Sequence, residues 1–381
     1  MPKRSKEMNV RGGLRRPFVQ FVLRERDFLL ILLVGFTLSG LFYDIHSVAM
    51  WLGFIFAGYA AVANDSIQTL GTFIVSNSRR PWWQLWLFVA SILIVVLALG
   101  WFINDGDVTW QKLYNPEKYP DLPQHSQYPQ PVEFSFIQLA APLILLILTR
   151  MRMPVSTTFL LLSCFSTGSK GITDVLGSSL SGYAISFVLS LLIWILGYNL
   201  IRTFFKQRKS AGFWVPLQWG ISGTLWGVWL MQDAANIAVY LPRQINVYQL
   251  IAIISLLVFG LAILMRQRGD KIQDIVNEKS RIEDIRAATL IDFSYACMLI
   301  YKMFVSPVPL STTWVFLGII GGREIGISIM RKKAGFAHKR KAFSMILKDI
   351  TYAVFGLLVS LALAVSINDA LRSEVMAILG L

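Results

Sequence analysis

Cysteine, histidine and charge are all scarce in this chain. Its 381 residues include two cysteines and three histidines, and only 15% are charged. Two cysteines, Cys164 and Cys297, cannot frame a disulfide-stapled domain, and their spacing suits no zinc site. Both fall in apolar stretches, where cysteine packs as a small hydrophobe. His46, His125 and His338 are expected in loops and form no ligand cluster. No Gly-x-x-x-x-Gly-Lys-Ser/Thr loop is present, which argues against direct use of ATP. No nucleophile–base constellation marks an enzyme, no cofactor motif appears, and no soluble domain is evident.

Apolar residues fill the space instead. They make up 55% of the chain, and the mean hydropathy is +0.56. A soluble core does not need that much apolar surface, whereas a bilayer-embedded chain does. The net charge of +14 would suggest nucleic acid if it covered a soluble surface. Here it sits in short clusters between apolar runs, as in cytoplasmic loops, so the partner is the lipid bilayer and not nucleic acid. The sequence therefore predicts an all-α, multi-pass protein of the plasma or inner membrane, and a homodimer is compatible with it.

A crossing helix needs roughly 20 residues. Full spans are expected near 28–45, 48–77, 84–103, 134–149, 180–201, 215–241, 246–265, 286–305 and 349–369. Two more segments, 153–176 and 307–330, are apolar but interrupted by Pro, Gly, Ser and Thr, and read as broken or re-entrant helices. Residues 1–27 form a basic tail, too long and too basic for an ordinary signal peptide, and 28–47 an extra first span. Basic residues set the orientation. Arg79 and Arg80, Arg150 and Arg152, the linker 202–214 with Arg202, Lys206, Arg208 and Lys209, and the loops 266–286 and 331–348 should all be cytoplasmic. The loop 104–133, rich in proline and poor in Lys and Arg, should lie outside. Within 266–286, Asp270 to Arg286 can form an amphipathic helix or a solvated linker. These constraints agree when each interrupted segment makes one net crossing, with the N-terminus inside.

The chain also repeats itself. Asn64-Asp65-Ser66-Ile67-Gln68 and Gln232-Asp233-Ala234-Ala235-Asn236 share an amide–acid–x–x–amide pattern. Pro154-Val155-Ser156-Thr157-Thr158 and Pro309-Leu310-Ser311-Thr312-Thr313 share Pro-x-Ser-Thr-Thr. The order is the same in 48–201 and 215–381: an acid-bearing helix, two spans, a Pro-x-Ser-Thr-Thr segment and a closing span. The basic clusters send the first acid-bearing helix inward and the second outward, which makes the two repeats inverted.

Each motif has a chemical reason. An Asp in an apolar span costs about 3 kcal/mol or more, so it persists where it serves an ion or a polar partner. Residues i and i+3 share a helix face. Asp65 with Gln68 and Asp233 with Asn236 can thus aim oxygens at one site, with Asn64 and Gln232 alongside. Hard oxygens suit a small alkali cation such as sodium, while the amide N–H groups can donate to an anion. Either Asp can instead bond a neighbouring helix. In Pro-x-Ser-Thr-Thr, proline breaks the incoming chain and Ser or Thr caps a new helix. A helix that starts inside the membrane presents free N–H groups and a positive dipole end, which together form an anion site. Lys170, Asp174 and the Arg323–Glu324 pair follow these segments and can gate or pair locally. Asp292 can be a further cation ligand or can bond a nearby hydroxyl.

The four short motifs, in this order from about Gly53 to Ile329, resemble the inorganic phosphate transporter family. The resemblance implies an inverted-repeat helical fold and symport of phosphate with sodium or protons as coupling cation. Carried over by position, it puts the anion near Ser156, Thr157, Thr158, Ser311, Thr312 and Thr313. It puts the cation near Asp65 and Asp233, with Asn236 also implicated. This chain has Gln68 and Gln232 where the family usually has Asn, which adds a methylene. It has Phe159 and Trp314 where the family usually has His, which removes a titratable group. Some relatives in the broad family look like sulfate carriers, so sulfate is the alternative substrate. A scaffold or receptor that no longer transports is the alternative of another class.

Overall fold

The structure, a computed structural model, describes residues 20, 22–23, 25–113, 128–151, 153, 155–198, 203, 212–266, 284–306, 308–330 and 336–379. Most of the 1–27 tail and of the 202–214 linker lies outside the described residues. So do Asp270–Arg286 up to residue 283, His125, Arg152 and Pro154.

Every regular element among the described residues is helical. In chain order these are α1 (Arg26–Phe42), α2 (His46–Ser76), α3 (Trp82–Ile103) and α4 (Phe136–Arg150). A short half-helix follows, built of a π segment (Thr158–Leu162) and a 3₁₀ turn (Ser163–Phe165). Then come α5 (Ser169–Leu196), α6 (Trp214–Ala238), α7 (Val247–Arg266), α8 (Ile285–Val305), α9 (Thr312–Met330), α10 (Phe336–Ile367) and α11 (Asp369–Leu379). Seven of them, α2, α3, α5, α7, α8, α9 and α10, contain stretches long and apolar enough to cross a bilayer. The chain is an all-helical integral membrane protein. α3 illustrates why. Its buried face carries Leu85, Val89, Leu93 and Leu97, yet its exposed face is equally apolar, with Leu87, Val95, Leu99 and Phe102. Only lipid accepts both faces of such a helix.

Local sequence fixes several ends. Pro81 precedes the first turn of α3, where a missing N–H costs nothing. Ser135 and Gln138 form a reciprocal capping box that starts α4. Pro142 inside α4 cannot bond the carbonyl of Gln138, one turn earlier. The Tyr240 hydroxyl donates to that carbonyl at 2.7 Å and satisfies it. Tyr240 can approach because α2 has Gly53 there, where a Cβ would collide with the tyrosine ring.

The closest helix pair is α5 against α9. Gly318, Gly322 and Gly326 recur every four residues on α9, and a Cβ on Gly322 would run into the Phe187 carbonyl of α5. Ser186 and Ser190 face them from α5, and Ser190 Oγ donates to the Ile319 carbonyl at 2.7 Å. Small residues on both helices let the backbones touch, which is how helices associate without a hydrophobic driving force.

The elements depart from the expected spans in several places. The segment expected to be broken at 307–330 is one unbroken 19-residue helix from Thr312, because its glycine ridge packs along α5 instead of turning back. The closing span expected at 180–201 begins at Ser169. Its first turns carry Lys170, Thr173 and Asp174, which hydropathy cannot recognise as helix. The expected loop 331–348 is helical from Phe336, where basic residues hide the helix in the same way. α6 spans 25 residues but is not apolar enough to count among the seven, since Gln218, Ser222, Gln232, Asp233 and Asn236 dilute it. α4 is apolar but has only 15 residues. His46 opens α2 and stacks on Phe134 at 5.4 Å, and His338 lies in α10, so neither is in a loop.

Candidate functional site

Asp65 and Asp233 occupy matching places. His46 to Asp65 on α2 and Trp214 to Asp233 on α6 are equal lengths of helix. Both acids are buried, at 2% and 4% exposure, and they are close enough to repel one another. Burial of two like charges in one place is costly unless cations or donors compensate.

Asp233 is well supplied with donors. Its Oδ2 accepts from Thr312 Oγ1 at 2.6 Å, and its Oδ1 from Asn236 Nδ2 at 2.7 Å and Thr158 Oγ1 at 3.4 Å. Asp65 has fewer. Its Oδ1 accepts from Asn64 Nδ2 at 2.7 Å, Thr157 lies beside it, and its Oδ2 has no hydrogen-bond partner among the described residues. Asn64 also donates to the Val155 carbonyl at 3.0 Å and to Thr157 Oγ1 at 3.3 Å. Gln68 donates to Asn64 Oδ1 at 3.1 Å, and Asn236 to Thr158 Oγ1 at 3.1 Å.

Both Pro-x-Ser-Thr-Thr segments start helices, and both use serine as the cap. Ser156 Oγ accepts from the N–H of Phe159, and Ser311 Oγ from the N–H of Trp314, each at 3.2 Å. The two starts meet head to head through reciprocal bonds. Thr158 Oγ1 donates to the Leu310 carbonyl at 3.2 Å, and Thr313 Oγ1 to the Val155 carbonyl at 3.4 Å. The residues that follow, Phe159 and Trp314, are both buried, with ring centroids 5.4 Å apart.

The structure thus gathers Asn64, Asp65, Gln68, Ser156, Thr157, Thr158, Asp233, Asn236, Ser311, Thr312 and Thr313 into one network. Gln232 is buried on the turn of Asp233, and neither of its amide atoms has a partner among the described residues. Three further buried oxygens, Asp65 Oδ2, Gln68 Oε1 and Asn236 Oδ1, also lack partners among the described residues. Each such group costs about 1–3 kcal/mol when left unmade, and their concentration here is what an oxygen-rich ligand site requires. No group of three His, Cys, Asp or Glu side chains is placed to hold a metal among the described residues. A hard monovalent cation would draw instead on amide, hydroxyl and single carboxylate oxygens.

The sequence did not single out two contributors. Tyr295 on α8 donates its hydroxyl to the Thr312 carbonyl at 2.8 Å, and Trp229 Nε1 to Thr312 Oγ1 at 3.3 Å. The available signals were spacing alone: Trp229 precedes Asp233 by one turn and Tyr295 follows Asp292 by one turn. Other candidates fall elsewhere. Arg323 pairs with Glu324 and lies over the Trp194 ring at 5.2 Å, so neither charge is at the site. Lys170 is exposed at the start of α5. Asp292 is buried between Thr72 Oγ1 and Ser222 Oγ, both of which donate to it. Cys164 is buried, and its thiol donates to the Leu160 carbonyl at 3.1 Å.

No family model matches the chain, and no curated protein or solved structure matches it either.

Proposed function

We propose that this protein is a secondary transporter that carries an inorganic oxyanion, phosphate first, in symport with a sodium ion or proton. Two inverted halves, one from α2 to α5 and one from α6 to α10, are related by an axis in the membrane plane. The N-terminus is cytoplasmic, α2 runs inward and α6 runs outward. The anion sits between the capped starts at Ser156–Thr158 and Ser311–Thr313. The coupling cation sits beside Asp65 and Asp233, with the amides of Asn64, Gln68, Gln232 and Asn236 completing the shell.

One observation carries the reading: two serine-capped helix starts, joined by reciprocal threonine bonds, lie against two buried acids. Each helix start offers roughly half a positive charge. Two of them cannot neutralise a divalent anion, so cations at the acids are required. The motif resemblance to the inorganic phosphate transporter family points the same way. The Phe159–Trp314 ring pair favours sulfate as the second reading. It removes the titratable group next to the anion, and sulfate, unlike phosphate, carries no proton near neutral pH.

Uptake of labelled phosphate and sulfate into proteoliposomes, with sodium and proton gradients imposed separately, tests the proposal. Gradient-driven accumulation of either anion is expected. Accumulation of neither, by purified folded protein, leaves a scaffold or receptor role as the better account.

A further inference from the structure

The mechanism above leaves the most deeply buried acid, Asp292, unused. Asp292 on α8 is 1% exposed. Thr72 Oγ1 of α2 donates to its Oδ1, and Ser222 Oγ of α6 donates to its Oδ2 at 2.5 Å. It therefore joins the same two helices that carry Asp65 and Asp233, but at another level. Asp65 to Thr72 is seven residues, about 10 Å along the helix axis, in the direction of the α2 end at Ser76.

Asp292 is also not isolated. One turn along α8, Tyr295 lies beside Thr69 and bonds the Thr312 carbonyl at the paired-acid site. One turn along α2 the other way, Ser76 Oγ accepts from Gln218 Nε2 at 2.5 Å. Asn77 Nδ2 donates to Gln218 Oε1 at 2.9 Å, and Trp219 Nε1 donates to Asn77 Oδ1 at 3.1 Å. Arg80, whose guanidinium lies over the Trp219 ring, marks where this file reaches the α2–α3 turn. Hydroxyls and amides therefore recur on successive turns from the paired acids to one end of the bundle, with Asp292 at the middle. Adjacent turns are about 5–6 Å apart at Cβ, a gap that one water is able to bridge.

Among the described residues, no fixed cation is placed to neutralise Asp292. α6 carries no Lys, Arg or His, and on α2 the one basic residue is His46, at the far end. On α8 itself, Arg286 pairs with Asp284 and Lys302 donates to Ser181 Oγ. On α9, Arg323 pairs with Glu324. On α5, Lys170 and Asp174 lie in the first turns and Tyr183 lies further along. The remaining ionisable groups on the packed helices are Asp65 and Asp233, Tyr59, Tyr295, Tyr301 and Cys297. Each carboxylate oxygen accepts one hydroxyl hydrogen, so a proton is taken up when one hydroxyl turns away, whereas a metal ion would need a shell of oxygens that two hydroxyls do not complete.

We propose that Asp292 is a proton-loading station between the paired-acid site and the α2 end, so that a proton takes part in coupling. The inference rests on the transport reading above. A hydronium at the α2 end gives its proton to one Asp292 oxygen and is left as water. The Asp292 O–H bond so formed breaks when the proton passes to an oxygen near Tyr295 and Thr69. That oxygen releases a proton in turn toward the paired acids, so Asp292 returns to carboxylate with no net change.

The full-length protein in proteoliposomes tests this with two assays. One measures labelled phosphate and sulfate uptake driven by an inward pH gradient without sodium. The other measures exchange of labelled for unlabelled anion at equal pH on both sides, which needs no net proton movement. Asp292→Asn should lose gradient-driven uptake and keep exchange. Gradient-driven uptake by Asp292→Asn at the wild-type rate overturns the proposal. So does wild-type protein that responds to a sodium gradient but never to a pH gradient. Wild-type protein that does neither assay overturns the transport reading itself and this inference with it. Ser222→Ala keeps the carboxylate but removes a donor, so the pH midpoint of uptake should move upward. An unmoved midpoint overturns the proposal however Asp292→Asn behaves.

Discussion

Asp65 and Asp233 stand at equivalent points of similar motifs, yet their surroundings differ. Asp233 accepts hydrogen bonds from Thr312, Asn236 and Thr158, while Asp65 accepts one from Asn64, has Thr157 beside it, and keeps an oxygen unpartnered among the described residues. The same contrast holds for the helices that supply the donors. α9 is an unbroken helix of 19 residues packed closely on α5 through its glycines, whereas the half-helix after Ser156 turns through π and 3₁₀ geometry and stops at Phe165. A π turn inside a helix often marks a functional position. The rigid start makes a well-bonded acid, and the irregular start leaves an acid with spare capacity. In the proposed transport cycle, Asp65 is therefore the side where a coupling cation would gain most, and Asp233 the side that holds the site together.

The largest expected effect separates those roles. Asp65→Asn and Asp233→Asn should both abolish coupled uptake, since each removes a charge that the cation needs. Asp233→Asn should in addition lower stability by about 2 kcal/mol, the scale of a hydrogen bond to a charged group. Asp65→Asn should leave the thermal midpoint near wild type or raise it. Equal stability losses in the two variants would erase the distinction.

A smaller effect bears on the helices. Gly322→Ala would drive a methyl into the Phe187 carbonyl and should cost about 1–3 kcal/mol, as overpacking does. Gly177 on α5 has open space around its Cβ position, so Gly177→Ala should be neutral or stabilising by up to about 1 kcal/mol. Thermal unfolding in detergent reads both. If Gly322→Ala is as harmless as Gly177→Ala, the rigidity of α9 has another source.

The smallest expected difference in stability is between two threonines. Thr312→Val removes the donor to Asp233 and should cost about 1–2 kcal/mol together with most uptake. Thr157→Val removes a weaker neighbour of Asp65 and should cost less stability. Measured thermal midpoints in the reverse order would mean that the bonding pattern does not rank the two acids.

Much of the site was legible because its chemistry lies in local motifs. Serine caps and amide–acid spacing can be read without knowing the fold, and Ser156, Ser311, Asp65 and Asp233 came together as the spacing implied. Helix length was less legible. Pro309 marks the break before α9 correctly, but the interruptions within 312–330 do not break the helix, and the partner that holds it, the small-residue face of α5, lies far away in sequence. The polar helical turns at Ser169–Asp174 look like the tail of a broken segment and those at Phe336–Lys348 like a loop, since hydropathy sees the membrane and not the helix. Tyr295 was missed because a tyrosine in an apolar span looks like core until its hydroxyl is seen on the Thr312 carbonyl.

The central claim is that anion and cation share one site, and affinity coupling tests it most directly. Phosphate and sulfate binding to the purified protein should be titrated at several sodium concentrations and several pH values. Cations at Asp65 and Asp233 should raise anion affinity, and the anion should raise cation affinity by the same factor, as linkage demands. An anion affinity that stays constant across every sodium concentration and pH would contradict the account, because the acids and the capped helix starts would then act independently.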